Sequence, residues 1–337
     1  MKNPEISVVM PVYNGARYIR ESIESILNQT FTDFEFIIIN DGSTDNSEEI
    51  ILSYNDSRIV YLKNEINSKI CVTLNRGLDA ARGKYIARLD CDDIAMPNRL
   101  EVQKQFLDLH TEIGIIGSDI ITFGENREDQ YFDFIHEPDG CRAGLLFNSC
   151  FAHPAVMMRT SIIREHNLHY REEYKGLEDL EMWWRISQYA EMTNIPQALI
   201  RYRKHPRQET QNVSASVAAK SLEFIHERFR SYVPTLTEQE LKVIANYCYA
   251  KWSEFDDKAI NALIEVCQQI MHSPKVQSSK TFSKAMAITL SKTIVFVKAN
   301  CPSINKSAWS IDNKALLAGI MPFDWYLKFL FHHIFRR

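Results

Sequence analysis

Short apolar runs alternate with helix-spaced ones from Glu5 to about Ser118. Ile6–Met10, Phe34–Ile39, Ile59–Leu62, Tyr85–Leu89 and Ile113–Ile116 read as strands. The two longest are apolar almost throughout, as expected of strands covered on both faces. Between them Arg17–Asn28, Asp45–Tyr54, Ile70–Ala81 and Arg99–His110 carry apolar residues at helical spacing. Asp45-x-x-Glu48 reads as a capping box, and Pro97 stands near the start of the fourth helix. Strict alternation of strand and helix predicts an α/β fold with a mostly parallel sheet flanked by helices.

Beyond Ser118 the pattern is less regular. An apolar run at Pro154–Met158 is followed by a helix from about Leu177 to Tyr189 and a strand at Ala198–Arg203, and the mixed domain is expected to occupy residues 1–212. The polar, aperiodic run from Arg207 to Ser216 reads as a linker. After it Val217–Tyr232, Thr237–Asp256, Lys258–His272 and Thr281–Ala299 show helical patterns punctuated by Pro234, Pro274 and Pro302, so residues 213–337 are expected to be all-helical.

A chain of 337 residues that is 45% hydrophobic can bury a substantial core. Its net charge of -4 gives no basic excess to draw the surface onto nucleic acid. Seven scattered cysteines, never spaced Cys-x-x-Cys, fit reduced thiols of a cytoplasmic protein better than a disulfide frame. The first apolar run is broken by Pro11 too soon for a secretory signal. No stretch reaches the roughly 18 to 20 apolar residues needed to cross a bilayer.

In sheets of this kind ligands sit at the carboxyl ends of the strands, and three of these ends are polar. Strand one runs into Pro11-Val-Tyr-Asn-Gly15, strand two into Asn40-Asp-Gly-Ser-Thr-Asp45, and strand four into Asp90-Cys-Asp-Asp93. Side chains two apart on extended backbone point the same way, so Asp90 and Asp92 can face one cleft while Asp93 follows on the turn. Clustered carboxylates repel unless a cation supplies the missing charge, and hard oxygen ligands suit Mg2+ or Mn2+ rather than zinc. A solvated acidic loop is the competing reading. Asp41 is placed either to bond a ligand or to serve ordinary turn chemistry, and Tyr13 either stacks on a planar base or packs at the rim.

Four segments in order, Ser7-Val-Val-Met-Pro-Val-Tyr-Asn14, Asn40-Asp-Gly-Ser-Thr-Asp45, Ala81-Arg-Gly-Lys-Tyr-Ile-Ala-Arg-Leu-Asp-Cys-Asp-Asp93 and Gly176-Leu-Glu-Asp-Leu-Glu-Met-Trp-Trp-Arg185, resemble glycosyltransferase family 2 with its Rossmann-like GT-A fold. The likeness covers about residues 5–210. It implies a nucleotide-binding half over about 5–118, an acceptor half over about 119–212, and an inverting, metal-dependent transfer of a hexosyl or N-acetylhexosaminyl group. The donor would be a nucleotide-diphosphate sugar, expected to be a UDP-sugar. The acceptor would be a hydroxyl of a saccharide or lipid-linked saccharide in polysaccharide or glycolipid synthesis.

By resemblance, Pro11, Tyr13 and Asp41 would surround the base, with Asp41 reading its edge. Asp90 and Asp92 would contact ribose or metal, and Asp92-Asp93 matches the adjacent pair that some members use for ribose and metal. Asp179 matches the base that deprotonates the acceptor. It opens a helix whose positive end favours the ionised carboxylate. His205 is similar to a histidine that closes the site and ligates the metal, and it reads equally as an exposed structural residue. His153, before Pro154, is taken as structural. Lys69 departs from the usual Asn-x-Gly-Leu turn and either contacts phosphate or is solvated. Leu180, Trp184, Trp183 and Ile186 read as core anchors, with Trp183 also able to border an acceptor sugar.

The aromatic tail Ala315–Arg337, which ends basic, suits either a helix in a membrane interface or one docked on the other tail helices. The first option would put a cytoplasmic protein on the inner face of the inner membrane. A sugar nucleotidyltransferase is the alternative enzyme, but the run after strand one lacks its glycine-rich basic loop. A catalytically silent carbohydrate-binding scaffold is the alternative from another class.

Overall fold

The computed structural model describes residues 3–125, 127–206, 215–248 and 256–300. The chain divides into two compact units, Met1–Cys141 with Ser149–Ala218, and Arg142–Asn148 with Ala219–Arg337. The first unit holds a nine-stranded sheet: β1 Ile6–Val12, β2 Phe34–Asp41, β3 Ile59–Asn64, β4 Tyr85–Arg88, β5 Ile94–Ala95, β6 Ile113–Gly124, β7 Arg127–Phe132, β8 Met157–Arg159 and β9 Glu191–Lys204. Its order is β3-β2-β1-β4-β8-β6-β9-β5, with β7 also paired to β6. The helices of this part are α1 Ile19–Leu27, α2 Ser47–Leu52, α3 Lys69–Ala80, α4 Arg99–Leu109, α5 Pro138–Gly144, α6 Thr160–Glu165 and α7 Glu178–Ile186.

Every residue of β1 and β2 is buried, because helices cover both faces. Val8, Met10 and Val12 share one core cluster with Ile19, Ile23 and Ile26 of α1. The alternate residues face α3, where Gly77 lets helix and sheet approach: a Cβ there would lie 2.4 Å from Val9 Cγ1 and 3.1 Å from Ile39 Cδ1.

The sheet is parallel through β3-β2-β1-β4 and mixed beyond. The short β8 runs antiparallel to both β4 and β6, which makes β6 parallel to β4; β9 is parallel to β6 along its length. The strand expected at Ile113–Ile116 continues to Gly124, and that at Ala198–Arg203 begins at Glu191, because a long β6·β9 ladder pairs residues that periodicity alone left as loop. The strand β7 has no counterpart in the sequence reading; all six residues are exposed, so it lacks the apolar alternation that marks a half-buried strand.

The expected capping box does not form. Asp45 Oδ1 accepts from Ser47 N at 3.0 Å, and Glu48 is drawn to Tyr61 Oη at 2.9 Å and Lys63 Nζ at 2.8 Å. Charged and phenolic donors on the neighbouring strand outcompete the backbone N–H that a capping box would satisfy.

The second unit contains α8 Ala215–Arg230 in its larger part, α9 Glu238–Cys248, α10 Asp257–His272, α11 Pro274–Gln277 and α12 Lys280–Asn300. Buried Arg228 donates to Leu145 O at 2.7 Å, and Phe147 meets Phe229 edge-on at 5.2 Å. Among the described residues no helix is long and apolar enough to cross a membrane. The tail Ala315–Arg337 lies outside the described residues. The six described cysteines are free thiols.

Candidate functional site

β4 ends at Arg88, and Asp90 follows two residues beyond it. The Arg88 side chain is 5% exposed and grips Asp90 with both terminal nitrogens, Nη1 donating to Oδ2 at 2.6 Å. Arg99, fully buried behind the strand, donates to Arg88 O at 2.7 Å and Val156 O at 3.1 Å, fixing the backbone at this point. Burial and the nearby Arg88 charge pull the Arg99 guanidinium down to about 9.

Asp90, Asp92 and Asp93 each bring a carboxylate oxygen within 4.8 Å of the others. Asp93 is 1% exposed; its Oδ1 accepts from Arg203 N at 2.7 Å, while Oδ2 is buried without a hydrogen-bond partner. Burial, and then the charges of Asp90 and Asp92, raise the Asp93 carboxyl well above the usual carboxylate range. An orphaned acceptor beside two further acids is an arrangement that a hard divalent cation relieves, so the residues present fit a Mg2+ or Mn2+ site.

The end of β9 closes over this turn. Arg203 donates Nε to Asp92 O at 2.7 Å, bonds Glu21 at 2.8 Å and lies over the Tyr18 ring at 4.5 Å. Two residues on, His205 Nε2 is 2.8 Å from Asp92 Oδ2. The His205 ring packs on Tyr18 at 5.0 Å. The structure therefore brings His205 to the acidic cluster, 113 positions from Asp92 in the chain.

The exits of β1 and β2 are laced together. Asn14 takes a positive φ of 51° and accepts from Thr44 N at 2.8 Å, while Gly15 N donates to Ser47 Oγ at 2.9 Å and Ala16 N to Asp45 Oδ2 at 3.0 Å. Pro11 is buried in this corner, and Tyr13 is 47% exposed beside it. Asp41 does serve the loop: Oδ1 accepts from Asn64 Nδ2 at 2.7 Å and Ser68 N at 2.8 Å, and Oδ2 from Lys69 N at 2.9 Å. Those bonds hold Lys69 at a φ of 72°, with its side chain exposed. Gly42, at a φ of 67°, packs so that a Cβ would lie 2.6 Å from Ile66 C.

Asp179 sits half-buried in the first turn of α7, with Oδ1 accepting from Leu180 N at 2.7 Å. Its carboxyl is raised, because burial outweighs the backbone bond, the Arg88 charge and the Ser149 hydroxyl that favour the anion. The helix end does favour the anion, through the N–H groups of Leu180 and Asp179, but the loss of water costs more. Neighbouring Glu178 is raised by burial and then by Asp179.

Trp183 is 0% exposed, edge-on to Phe151 at 5.9 Å and His153 at 5.6 Å, so it is a core anchor and does not border a sugar. His153 Nε2 is 3.0 Å from Tyr170 Oη, and burial, then Arg88, push its pKa well below the usual value.

The sequence reading missed Arg88, Arg203 and Tyr202. Arg88 had a signal, a charge two positions before Asp90 inside an otherwise apolar strand. Tyr202, whose phenol is pushed well up by burial and then by Asp90 and Asp93, had none.

The sequence model described as Glycosyl transferase family 2 matches residues 7–166. The chain is 37% identical over 219 residues to an uncharacterized glycosyltransferase of Haemophilus influenzae, covering 61% of this chain and 67% of that one. It is 32% identical over 236 residues to the O-antigen biosynthesis glycosyltransferase WbnJ of Escherichia coli, covering 66% and 90%. Among solved structures it resembles S. aureus TarS 1-349 in complex with UDP-GlcNAc, with a TM-score of 0.60, 18% identity and 88% of each chain covered. It also resembles the mannosyltransferase PcManGT of Pyrobaculum calidifontis in complex with GDP-Man and Mn2+, with a TM-score of 0.51, 12% identity, and 89% and 87% covered. With this GT-A fold and these relatives, the chain belongs to glycosyltransferase family 2.

Proposed function

We propose that this glycosyltransferase works with inversion and with a divalent cation, moving a sugar from a UDP-sugar to a hydroxyl of a saccharide or lipid-linked saccharide. The observation that carries the reading is the orphaned Asp93 Oδ2 within an acid cluster whose neighbours, Arg88 and Asp179, complete a second group of charges. TarS was solved with UDP-GlcNAc and PcManGT with GDP-Man and Mn2+, which supports a nucleotide-sugar donor and a metal. The O-antigen role of WbnJ supports a saccharide acceptor.

Asp92 and Asp93 would hold Mn2+ or Mg2+, with His205 beside Asp92. When bound, the cation supplies positive charge to the departing diphosphate. Asp90, neutralised by Arg88, is left to accept hydrogen bonds from ribose or sugar hydroxyls. Pro11 and Tyr13 border the base. Asp41 fixes the loop that carries Lys69 and keeps lone-pair capacity on Oδ2 for a base N–H. Asp179 takes the acceptor proton as the acceptor oxygen attacks the anomeric carbon from the face opposite the diphosphate. A single displacement of that kind inverts the centre.

A thermal-shift screen of UDP-sugars with and without Mn2+ tests the donor and the metal together, since a ligand that binds only the folded state raises its melting temperature. Asp179→Asn should keep that shift while transfer falls at least ~100-fold, the loss typical for a missing general base. Transfer at the normal rate by this variant would remove Asp179 from the mechanism.

A further inference from the structure

Three strands share β6. β9 pairs it from Ile113 to Gly124 along one edge, so β8, at Ile115 and Ile116, and β7, at Ile120 to Gly124, divide the other edge between them. β8 pairs β4 on its far side, and β4 and β6 run parallel. β7 therefore lies beyond β8 toward the end of the sheet at which β4 delivers Asp90.

One face of this corner is defined by side chains. Gly117 of β6 abuts Phe151, whose ring a Cβ there would approach to 2.5 Å, and Phe151 meets Trp183 of α7, the helix that begins beside Asp179. The next residue on that face, Asp119, is 1% exposed and accepts three bonds: from Tyr131 Oη at 2.7 Å, from Phe134 N at 2.8 Å, and from the His136 ring at 2.8 Å. Tyr131 is thus on the α7 side of the sheet. Its hydroxyl is anchored while the residue remains 58% exposed. Two positions before it, Asp129 is held by Arg201 at 2.8 Å.

We propose that Tyr131 is the platform on which a sugar ring of the acceptor stacks, with Asp129, two residues before it on the same strand, serving its hydroxyls. The inference rests on the reading of this chain as a transferase to a saccharide and names a binding residue for that acceptor. The negative face of an aromatic ring attracts the weakly positive C–H face of a pyranose, and a tyrosine with an anchored hydroxyl offers it at little entropic cost. The bond to buried Asp119 holds this exposed ring in one place, so contact with a sugar costs it little further freedom. A second copy of the chain is a poor occupant. β7 places four polar residues, Arg127 to Gln130, before its two exposed rings, and a strand of six residues is small beside the roughly 800 Å2 per partner that a stable interface buries.

The test is binding of the full chain to an array of bacterial-type mono- to tetrasaccharides, with UDP-sugar turnover by the wild type measured alongside. Tyr131→Ala and Tyr131→Leu should lose at least tenfold in affinity for the glycans the wild type binds, and Tyr131→Phe and Tyr131→Trp should stay within threefold. Tyr189→Ala, an equally exposed tyrosine stacked on His166, should bind as the wild type does and controls for general surface effects. Binding unchanged in both Tyr131→Ala and Tyr131→Leu, an equal loss in Tyr131→Phe, or no glycan bound by the wild type at millimolar concentration would each overturn the proposal. Failure of the transferase reading shows separately, as absence of UDP-sugar turnover in a wild type whose glycan binding still depends on Tyr131.

Discussion

Arg88→Met is the most informative single change, because it removes one cation that faces two sets of acids. The Arg88 side chain is 5% exposed and Asp90 is 28% exposed, so the pair is dry on one side and wet on the other. Removing one partner of a fully buried pair costs about 3–5 kcal/mol; with Asp90 able to recover some hydration, about 2–3 kcal/mol is expected here. For a folded unit of this size each kcal/mol moves the midpoint by about 2–4 °C, so melting should fall by about 5–10 °C. Methionine fills most of the space, which keeps the change electrostatic.

The same substitution withdraws positive charge from Asp179, whose carboxyl Arg88 helps to keep ionised. In a pH series of kcat/KM the acidic limb should therefore move to higher pH, while Arg88→Lys, which keeps the charge, leaves the limb near its original place. Saturating Mn2+ should raise the melting temperature of Arg88→Met more than that of the wild type, because the cation then replaces the missing charge at Asp90. A folded Arg88→Met enzyme whose acidic limb has not moved would refute the electrostatic link between the two halves of the site.

Three further outcomes follow from the geometry. Because burial raises the Asp179 carboxyl, the acidic limb of wild-type kcat/KM should lie above the ordinary aspartate value of 3.8, and a limb at or below that value would contradict it. His205→Ala removes the ring 2.8 Å from Asp92 Oδ2, so Mn2+ affinity followed by calorimetry should fall by about 10- to 100-fold; unchanged affinity would return His205 to a structural role. Gly77→Ala drives a methyl to 2.4 Å from the stiff Val9 side chain, and chemical denaturation should show a loss of about 1–3 kcal/mol with the acidic turn intact; a neutral result would mean that α3 shifts freely.

The sequence by itself determined the first half of the sheet, because β1 and β2 are buried on both faces and their apolar runs have no other stable use. It also showed where polar residues gather at the strand ends. Strand ends are where backbone periodicity stops and polar residues need no burial, so Asp41 and the run Asp90 to Asp93 stood out against apolar neighbours. Resemblance supplied Asp179, which spacing alone would have left as a helix cap.

Only the tertiary structure decided what each of those carboxylates faces. Asp93 and Asp90 are three residues apart, yet one is buried with an orphaned oxygen and the other is held by Arg88, a difference made by Arg203, which arrives from a strand 110 positions away. Asp41 is spent largely on a loop that periodicity does not see, and Asp179 loses more to burial than its helix returns. β7 was invisible because an exposed strand is held by backbone pairing and by Asp119, neither of which leaves an apolar pattern. Periodicity reports which faces are dry; charge pairing, desolvation and edge pairing arise between segments distant in the chain, and the fold alone brings those together.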